Sequence, residues 1–263
     1  MGTALVIEND PSDPLARLGE WLTEAELPLT VLRPHAGDAL PETLDDFTAL
    51  VVLGGDQDAF AAADGTPGAP WFPALEGLLR KAVRHRVPTL GVCLGGQLLA
   101  AAHGGLVERS TSGPEIGPGL IGKRDAADTD PLFKFVPLLP DVFQWHRDEI
   151  TELPLHATLL AASTRCPNQA FRIGDRAWGL QFHIECDLDM IARWAGEDAA
   201  TLAEIGYDPD AVVAACADAL ADVEEVWQPF AARFASLALG TLPDADVPPS
   251  PGPGGRTLPL LGH

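Results

Sequence analysis

Short apolar runs alternate with longer stretches that fit an amphipathic helix, and this alternation limits the fold more than any other feature of the chain. The strand-like runs are TALVI, LTVL, ALVVL and TLGVC, and helical patterns occupy 15–26 and 71–86 between them. Parallel strands need a crossover connection, which is usually a helix. The order therefore predicts an α/β fold with a mostly parallel sheet and helices on both faces.

The middle of the chain, 106–180, has a weaker helical period and predicts a small, partly antiparallel extension of the sheet. Beyond Asp187 the pattern is helical again, and 210–238 has apolar residues at helical spacing. Pro229 inside that stretch predicts a break or a kink. The strands predicted for the middle part are 120–123, 142–145, 158–162, 170–173 and 178–182.

The length and the distribution of apolar residues predict one domain, 1–240, followed by a tail, 241–263. The tail contains PDADVPPSPGPGG, which is too rich in proline and glycine to bury much apolar surface. We expect it to be flexible.

The charge balance excludes some classes of partner. With 17 Lys and Arg against 38 Asp and Glu, the formal net charge is -21, which disfavours nucleic acid and anionic membrane surfaces. No secretory signal and no apolar stretch of membrane-spanning length is recognisable, so we expect a cytoplasmic protein. The four cysteines have no CxxC pair, which predicts neither a metal site nor a disulfide framework.

Cys93 lies between an apolar strand and a helix, in the segment GVCLG. A nucleophile at a sharp strand-to-helix turn needs small residues two positions away on either side, and Gly91 and Gly95 occupy those positions. The N–H groups at the start of the following helix favour a thiolate. The segment predicts a nucleophile, although a small core cysteine in an ordinary βα turn would give the same short pattern.

A second motif, FHIE, ends an extended apolar run and places His183 two residues before Glu185. In a strand, residues i and i+2 face the same side, so Glu185 can hold one ring nitrogen of His183. The other nitrogen is then available to Cys93. The three residues together have the nucleophile, base and orienting acid of a catalytic triad.

GVCLGGQ and FHIE resemble the two motifs of class I glutamine amidotransferases, and LVVLGGDQD and FQWHRDEITELP extend the resemblance over about 3–195. The resemblance implies a doubly wound, flavodoxin-like sheet with C-terminal helices. Among the members of the family, the chain is most similar to the glutaminase part of GMP synthase, here as a stand-alone chain.

The resemblance also implies roles for individual residues. Cys93 would attack the γ-carbonyl of L-glutamine and form a thioester, which releases ammonia and then glutamate. By the same resemblance, the expected sites are Cys93, His183 and Glu185 as the triad, the backbone N–H groups of Gly55 and Leu94 as the oxyanion hole, and Gly54, Gln97 and His146 as substrate contacts. No metal and no organic cofactor is implied.

Three positions depart from the family pattern. Asp56 follows the double glycine where proline or asparagine is common, Arg147 replaces a usual glycine, and Ile184 replaces the proline of His-Pro-Glu. These changes affect the expected identity of the substrate more than they affect the triad.

Several alternatives remain open from the sequence. No ATP-binding loop of the G-x-x-x-x-G-K-[ST] type is present, so the chain is either a glutaminase that serves a synthase partner or a stand-alone γ-glutamyl peptidase. A non-catalytic binding subunit on the same fold is another class. A further class, the ThiJ-type hydrolases, would pair the cysteine with a glutamate near the first strand, for which Glu8 is the candidate.

Overall fold

The computed structural model describes residues 2–243 and contains one eight-stranded sheet. Five neighbouring strands are parallel, and the last three are antiparallel, in the order β2-β1-β3-β4-β12-β11-β10-β7. The expected mostly parallel sheet with an antiparallel extension is confirmed. The strands of this sheet are β1 (Ala4–Ile7), β2 (Leu29–Leu32), β3 (Ala49–Val52), β4 (Thr89–Val92), β7 (Gly122–Lys123), β10 (Ala157–Ala162), β11 (Ala170–Ile173) and β12 (Ala177–Leu180).

The remaining strands form two antiparallel ribbons, β5 with β9 and β6 with β8. Their bounds are β5 (Leu106–Arg109), β6 (Glu115–Leu120), β8 (Asp141–His146) and β9 (Asp148–Glu152). The helices are α1 (Ala16–Glu24), α2 (Phe72–His85), α3 (Leu94–Ala102), α4 (Leu188–Glu197), α5 (Ala199–Glu204) and α6 (Pro209–Ala238).

Strand alternation divides the core between the two faces of the sheet. In β1, Ala4 and Val6 belong to one apolar cluster, which also contains residues of α1, α4 and α6. Leu5 and Ile7 of the same strand belong to the other cluster, with residues of α2 and α3. Helices therefore cover both faces, as the βαβ pattern predicts.

The parallel strands end at the same edge of the sheet. Val52 of β3 pairs with Gly91, and Val92 of β4 pairs with Leu180 of β12. The segments that follow β1, β3, β4 and β12 therefore meet at one carboxyl edge. Ligands of open α/β sheets bind at this edge.

The sequence pattern did not predict three of the strands. β5 and β9 are short ribbon strands, and β6 has the sequence EIGPGL, in which two glycines and a proline hide the alternation. Part of the predicted strand 120–123 forms β7, while Leu120 ends β6. The helix after Cys93 begins directly at Leu94.

α6 is the longest helix, with 30 residues, and it runs through Pro229 without a break. It packs against α1 and α4 and against β6 and β8. Trp227 is fully buried, and its Nε1 donates to the carbonyl of Asp141 at 2.8 Å. The long C-terminal helix thus completes the core.

The chain beyond α6 follows the predicted tail only in part. The N–H of Leu242 donates to the carbonyl of Ser236, and the Leu242 side chain is buried, so the first residues assigned to the tail pack on the domain. The predicted flexibility of 244–263 lies outside the described residues. Within 2–243, no helix combines the length and apolar character needed to cross a bilayer.

Candidate active site

Cys93 is at the turn between β4 and α3, and its backbone has φ 49° and ψ −110°. A residue with a side chain rarely has a positive φ, so this strained conformation is the one expected for a nucleophile elbow. A Cβ on Gly91 would lie 2.5 Å from the carbonyl oxygen of Gly95, and a Cβ on Gly95 would lie 2.0 Å from that of Val52. The two glycines are therefore required by close packing around the turn.

His183 and Glu185 follow β12 and are both buried. Nδ1 of His183 lies 2.6 Å from Oε1 of Glu185, and the other carboxylate oxygen accepts the N–H of Ile184 at 2.9 Å. The backbone of His183 pairs with that of Phe143 in β8, which fixes the segment against the ribbon. Glu185 thus orients the ring as the FHIE motif predicts.

The second ring nitrogen of His183, Nε2, is buried and has no hydrogen-bond partner among the described residues. Burial lowers the pKa of His183, but the negative charges of Glu185 and Cys93 outweigh it and raise the pKa well above the ordinary value. The surroundings of the ring therefore favour its protonated form. Nε2 is the atom from which a proton would be donated.

The Cys93 sulfur has two further polar neighbours. Nε2 of Gln181 donates to Sγ at 3.8 Å, and Sγ lies 4.0 Å from the carbonyl oxygen of Trp145. Sequence reasoning assigned no role to Gln181, although it lies in the same extended run as His183. Its amide N–H would stabilise negative charge that develops on the sulfur during a reaction.

The other three cysteines differ from Cys93. Burial raises the pKa of Cys166 and of Cys216 to about 12. Burial also raises the pKa of Cys186, and the charge of Glu185 adds to the effect. The raised pKa values keep these thiols neutral, as buried packing groups.

Two open lobes of one cleft meet at Cys93. The lobe lined by Gln97, which we call the Gln97 lobe, has a cavity volume of about 90 Å³, and the lobe lined by His183, which we call the His183 lobe, has one of about 100 Å³. The two lobes share the lining residues Gly55, Asp56, Cys93, Trp145 and Asp198.

Gln97 is buried in α3, and its Nε2 donates to the carbonyl of Asp148 at 3.3 Å and to Oε1 of Gln181 at 3.2 Å. No described residue donates to its Oε1, which remains available to a ligand in the Gln97 lobe. His146 lines the same lobe, but Asp148 and Gln144 occupy its two ring nitrogens, at 2.9 and 3.0 Å. His146 therefore holds residues of the lobe wall together, and it has no free nitrogen for a substrate.

The backbone N–H groups expected to form an oxyanion hole lie beside the nucleophile. Leu94 is the first residue of α3, where an N–H has no partner within the helix. Gly55 lines both lobes, and a Cβ on it would lie 3.0 Å from the Leu94 side chain. Gly54, expected as a substrate contact, instead lies against Asp13 and His183, where its missing side chain makes room for both.

Comparisons with known proteins agree with this site. The family model for "Glutamine amidotransferase class-I" matches residues 21–190. The chain belongs to this family. The match includes the elbow, the cleft ribbons and the histidine–glutamate pair, so the fold and the family expected from the motifs are confirmed.

The names of relatives within the family state different activities. The glutamine amidotransferase-like protein YfeJ of Salmonella typhimurium is 33% identical over 65% of this chain and 71% of its own length. Gamma-glutamyl peptidase 3 of Arabidopsis thaliana is 31% identical, over 56% of this chain and 58% of its own length. The glutamine-hydrolysing GMP synthase of Christiangramia forsetii is 35% identical, over 56% of this chain and 26% of its own length.

A solved glutamine amidotransferase from Thermotoga maritima has the same architecture. The TM-score is 0.78 at 27% identity, with 89% of this chain and 98% of that chain covered. Membership of the amidotransferase family supports hydrolysis of an amide by the cysteine, without fixing which amide.

Asp13 is a buried acid that sequence reasoning missed, because it lies in a loop with no motif. It lines the His183 lobe, and its Oδ2 accepts the hydroxyl of Ser12 at 3.0 Å. Burial raises the pKa of Asp13 to about 7; nearby His183 opposes this rise, and Glu185 adds to it. A second carboxylic acid, with a raised pKa, thus lies beside the histidine and the glutamate.

The departures from the family pattern have structural consequences. Arg147 forms an ion pair with Asp198, and Nε1 of Trp145 donates to the same carboxylate at 2.8 Å, so the β8–β9 turn is tied to the end of α4. Ile184, unlike proline, has an N–H, which is the group that Glu185 accepts. Asp56 adds a carboxylate to the wall shared by both lobes.

Glu8, the acid that a ThiJ-type hydrolase would use, makes contacts with other residues. Its carboxylate pairs with Nε of Arg33 at 2.6 Å and accepts the N–H of Leu15 at 3.2 Å. Glu185, by contrast, contacts the histidine directly. This geometry favours Glu185 over Glu8 as the acid that orients the histidine.

Among residues 2–243, one cluster has donor atoms that could hold a metal ion: His183, Glu185 and Cys186, whose atoms lie within 4.8 Å of one another. The same hydrogen bond that orients the histidine occupies Nδ1 and Oε1. The cluster therefore coincides with the orienting part of the triad.

Proposed function

We propose that this chain hydrolyses a γ-glutamyl amide through a thioester on Cys93, with L-glutamine as the simplest substrate. The observation that supports the proposal best is the position of His183, which Glu185 holds at 2.6 Å while Nε2 stays unoccupied in the cleft beside Cys93. A non-catalytic binding subunit would not need this arrangement.

The proposed reaction has two steps, formation of a thioester and its hydrolysis. Sγ of Cys93 bonds to the γ-carbonyl carbon, and the N–H groups of Gly55 and Leu94 stabilise the oxyanion. The carbon–nitrogen bond then breaks as His183 gives its Nε2 proton to the leaving nitrogen. A water, deprotonated by the same nitrogen, hydrolyses the thioester to glutamate and restores the thiolate–imidazolium pair.

The Gln97 lobe offers groups of both charges for the α-amino acid end of the substrate. Arg109 lies 3.1 Å from both Asp58 and Asp148 and could bind an α-carboxylate, while Gln97 Oε1 could accept an α-ammonium. Burial raises the pKa of Asp148 to about 6, against the attraction of Arg109 and with the repulsion of Asp58. The lobe suits a zwitterionic group.

Two versions of the proposal differ in the leaving amine and in the partner. A glutaminase that serves a synthase would release ammonia to a partner protein, whereas a γ-glutamyl peptidase or hydrolase would act alone on a substituted amide. The His183 lobe supports the second version, because it provides space on the side of the leaving nitrogen.

The test is release of ammonia and glutamate from L-glutamine, and of glutamate from γ-glutamyl peptides, together with labelling of the thiol by a glutamine-analogue diazoketone. We expect Cys93→Ala to abolish turnover and labelling. Cys166→Ala, which removes a buried neutral thiol, is the control and should leave both unchanged. Failure of every substrate, with no label on Cys93, would rule out the proposed catalysis.

A further inference from the structure

The His183 lobe is strongly acidic. Within 2–243, neither lysine nor arginine lines it, and its cavity volume is about 100 Å³. Two tryptophan rings supply its apolar surface. The carboxylates and rings that line it are Asp13, Asp56, Glu197, Asp198, Trp145 and Trp194.

The chemistry assigns this lobe to the leaving group, a step that rests on the proposed function. Cys93 borders both lobes, but His183 borders only this one. Because His183 must protonate the leaving nitrogen, that nitrogen and its substituent lie on the His183 side of the scissile bond. The glutamyl part then occupies the opposite lobe, where Gln97 and Arg109 lie.

A second observation also indicates a ligand here. Nε2 of His183 is buried and has no hydrogen-bond partner within the described chain, although an unpaired buried polar atom is unfavourable. The edge of the ring rests on Trp194, with centroids 4.8 Å apart, and Trp145 lies 5.5 Å from Trp194. The His183 ring therefore lines a cavity with aromatic walls.

The carboxylates at the C-terminal end of α4 lie where the local electrostatics disfavour negative charge. Glu197 ends the helix, where the carbonyl groups carry negative partial charge and favour a cation. No described cation pairs with Glu197. Asp198 pairs with Arg147, which lines only the Gln97 lobe.

Asp56 reinforces this pattern from the other wall. Burial raises its pKa, and the charges of Asp10 and Asp198 raise it further, while Arg147 lowers it. Carboxylates that repel one another around a cavity are stabilised when a cation enters it.

We propose that the leaving group of this enzyme is a positively charged amine, so that its substrate is the γ-glutamyl amide of a diamine. The protonated distal amino group lies among the carboxylates, and the tryptophan faces provide cation–π contact. A leaving group with a carboxylate, as in a γ-glutamyl dipeptide, is repelled by the same charges. Glu197 is the specificity-determining residue that can be changed without touching the triad.

The bond changes are those of ordinary amide cleavage. The γ-carbonyl carbon forms a bond to Sγ of Cys93 and loses its bond to nitrogen, which takes the Nε2 proton of His183. The diamine departs with its distal ammonium intact, and water then converts the thioester to glutamate. No oxidant or second co-substrate is required.

The test compares three γ-glutamyl amides of equal chain length, made from 1,4-diaminobutane, butylamine and 4-aminobutanoate. We expect kcat/KM to be about tenfold higher for the cationic amide than for the neutral one, and lowest for the anionic one. The preference should shrink in 0.5 M NaCl, because salt screens partly solvated charges. Equal rates for the cationic and neutral amides would overturn the inference.

Two variants test whether Glu197 causes the preference for the cationic amide. Glu197→Gln should reduce the preference for the cationic amide over the butylamine amide about threefold. Glu204→Gln makes the same change at the end of α5, outside both lobes, and should leave this preference as it is in the wild type. An unchanged preference in Glu197→Gln would refute the role of this residue.

The outcomes also separate this inference from the proposed function. Turnover of L-glutamine without turnover of any substituted amide would refute the diamine inference and leave the thioester mechanism standing. Inactivity toward all four compounds, with no labelling of Cys93, would refute both.

Discussion

At the scale of single residues, Asp13 shows how burial changes the chemistry of an acid. Its side chain is removed from water beside Glu185, and the attraction of His183 compensates only in part, which leaves its pKa near 7. The acid is thus partly charged under physiological conditions. It stabilises the imidazolium of His183 when it is ionised.

The pKa of Asp13 predicts how stability depends on pH. Because the folded-state pKa is raised from 3.8 to about 7, the native state holds a proton that the unfolded state releases, and stability falls as pH rises between these values. In Asp13→Asn, the loss of unfolding free energy between pH 5 and pH 8 should be smaller than in the wild type by roughly 2 kcal/mol. Urea unfolding at both pH values measures this, and parallel losses in the two proteins would contradict it.

At the scale of elements, the turn after β3 controls how closely Asp13 and His183 approach. A Cβ on Gly54 would lie 2.6 Å from Oδ1 of Asp13 and 3.3 Å from Cε1 of His183. We expect Gly54→Ala to displace one of them and to lower kcat/KM about tenfold or more, since small shifts of catalytic groups are costly. Steady-state kinetics on the preferred amide measures the effect.

Gly77 in α2 provides the control for this substitution. A Cβ there meets nothing within 4 Å, so Gly77→Ala should keep full activity and stabilise the helix by about 0.5–1 kcal/mol. If Gly54→Ala retained activity within twofold of the wild type, the packing of this turn would not control the site.

α6 stabilises the ribbon that forms one wall of the cleft. Trp227 contacts the rings of Phe133, Phe182 and Phe230, with centroids 5.1–6.1 Å apart. Trp227→Ala should lower the free energy of unfolding by about 3–5 kcal/mol, because it leaves a large cavity and the carbonyl of Asp141 loses its donor. Chemical denaturation tests this. Leu155→Ala, at a position 91% exposed, is the control and should change stability little.

At the scale of the whole molecule, the net charge of -21 opposes compaction. Raising NaCl from 0.02 to 0.3 M at pH 8 should increase the melting temperature by a few degrees, because salt screens the repulsion. The increase should be smaller at pH 5, which is nearer the pI of about 4.4 and where part of the carboxylates are protonated. A salt effect of equal size at both pH values would not be due to repulsion between carboxylates.

The sequence by itself determined the parallel part of the sheet and predicted the three residues of the candidate triad. The apolar runs of β1, β3 and β4 are buried throughout and therefore conspicuous. Cys93 and the His183–Glu185 pair lie in local motifs whose spacing is set by an elbow and by strand periodicity. These relations are local, so a pattern of a few residues was enough.

Only the tertiary structure decided the surroundings of the triad. Asp13, Gln181 and Glu197 come from segments far apart in the chain, and no local pattern records that their side chains converge on one cleft. The two nitrogens of His146 are bound, and Gly54 packs against Asp13, because of contacts between separate elements. Charge, burial and hydrogen bonding at the site depend on this convergence.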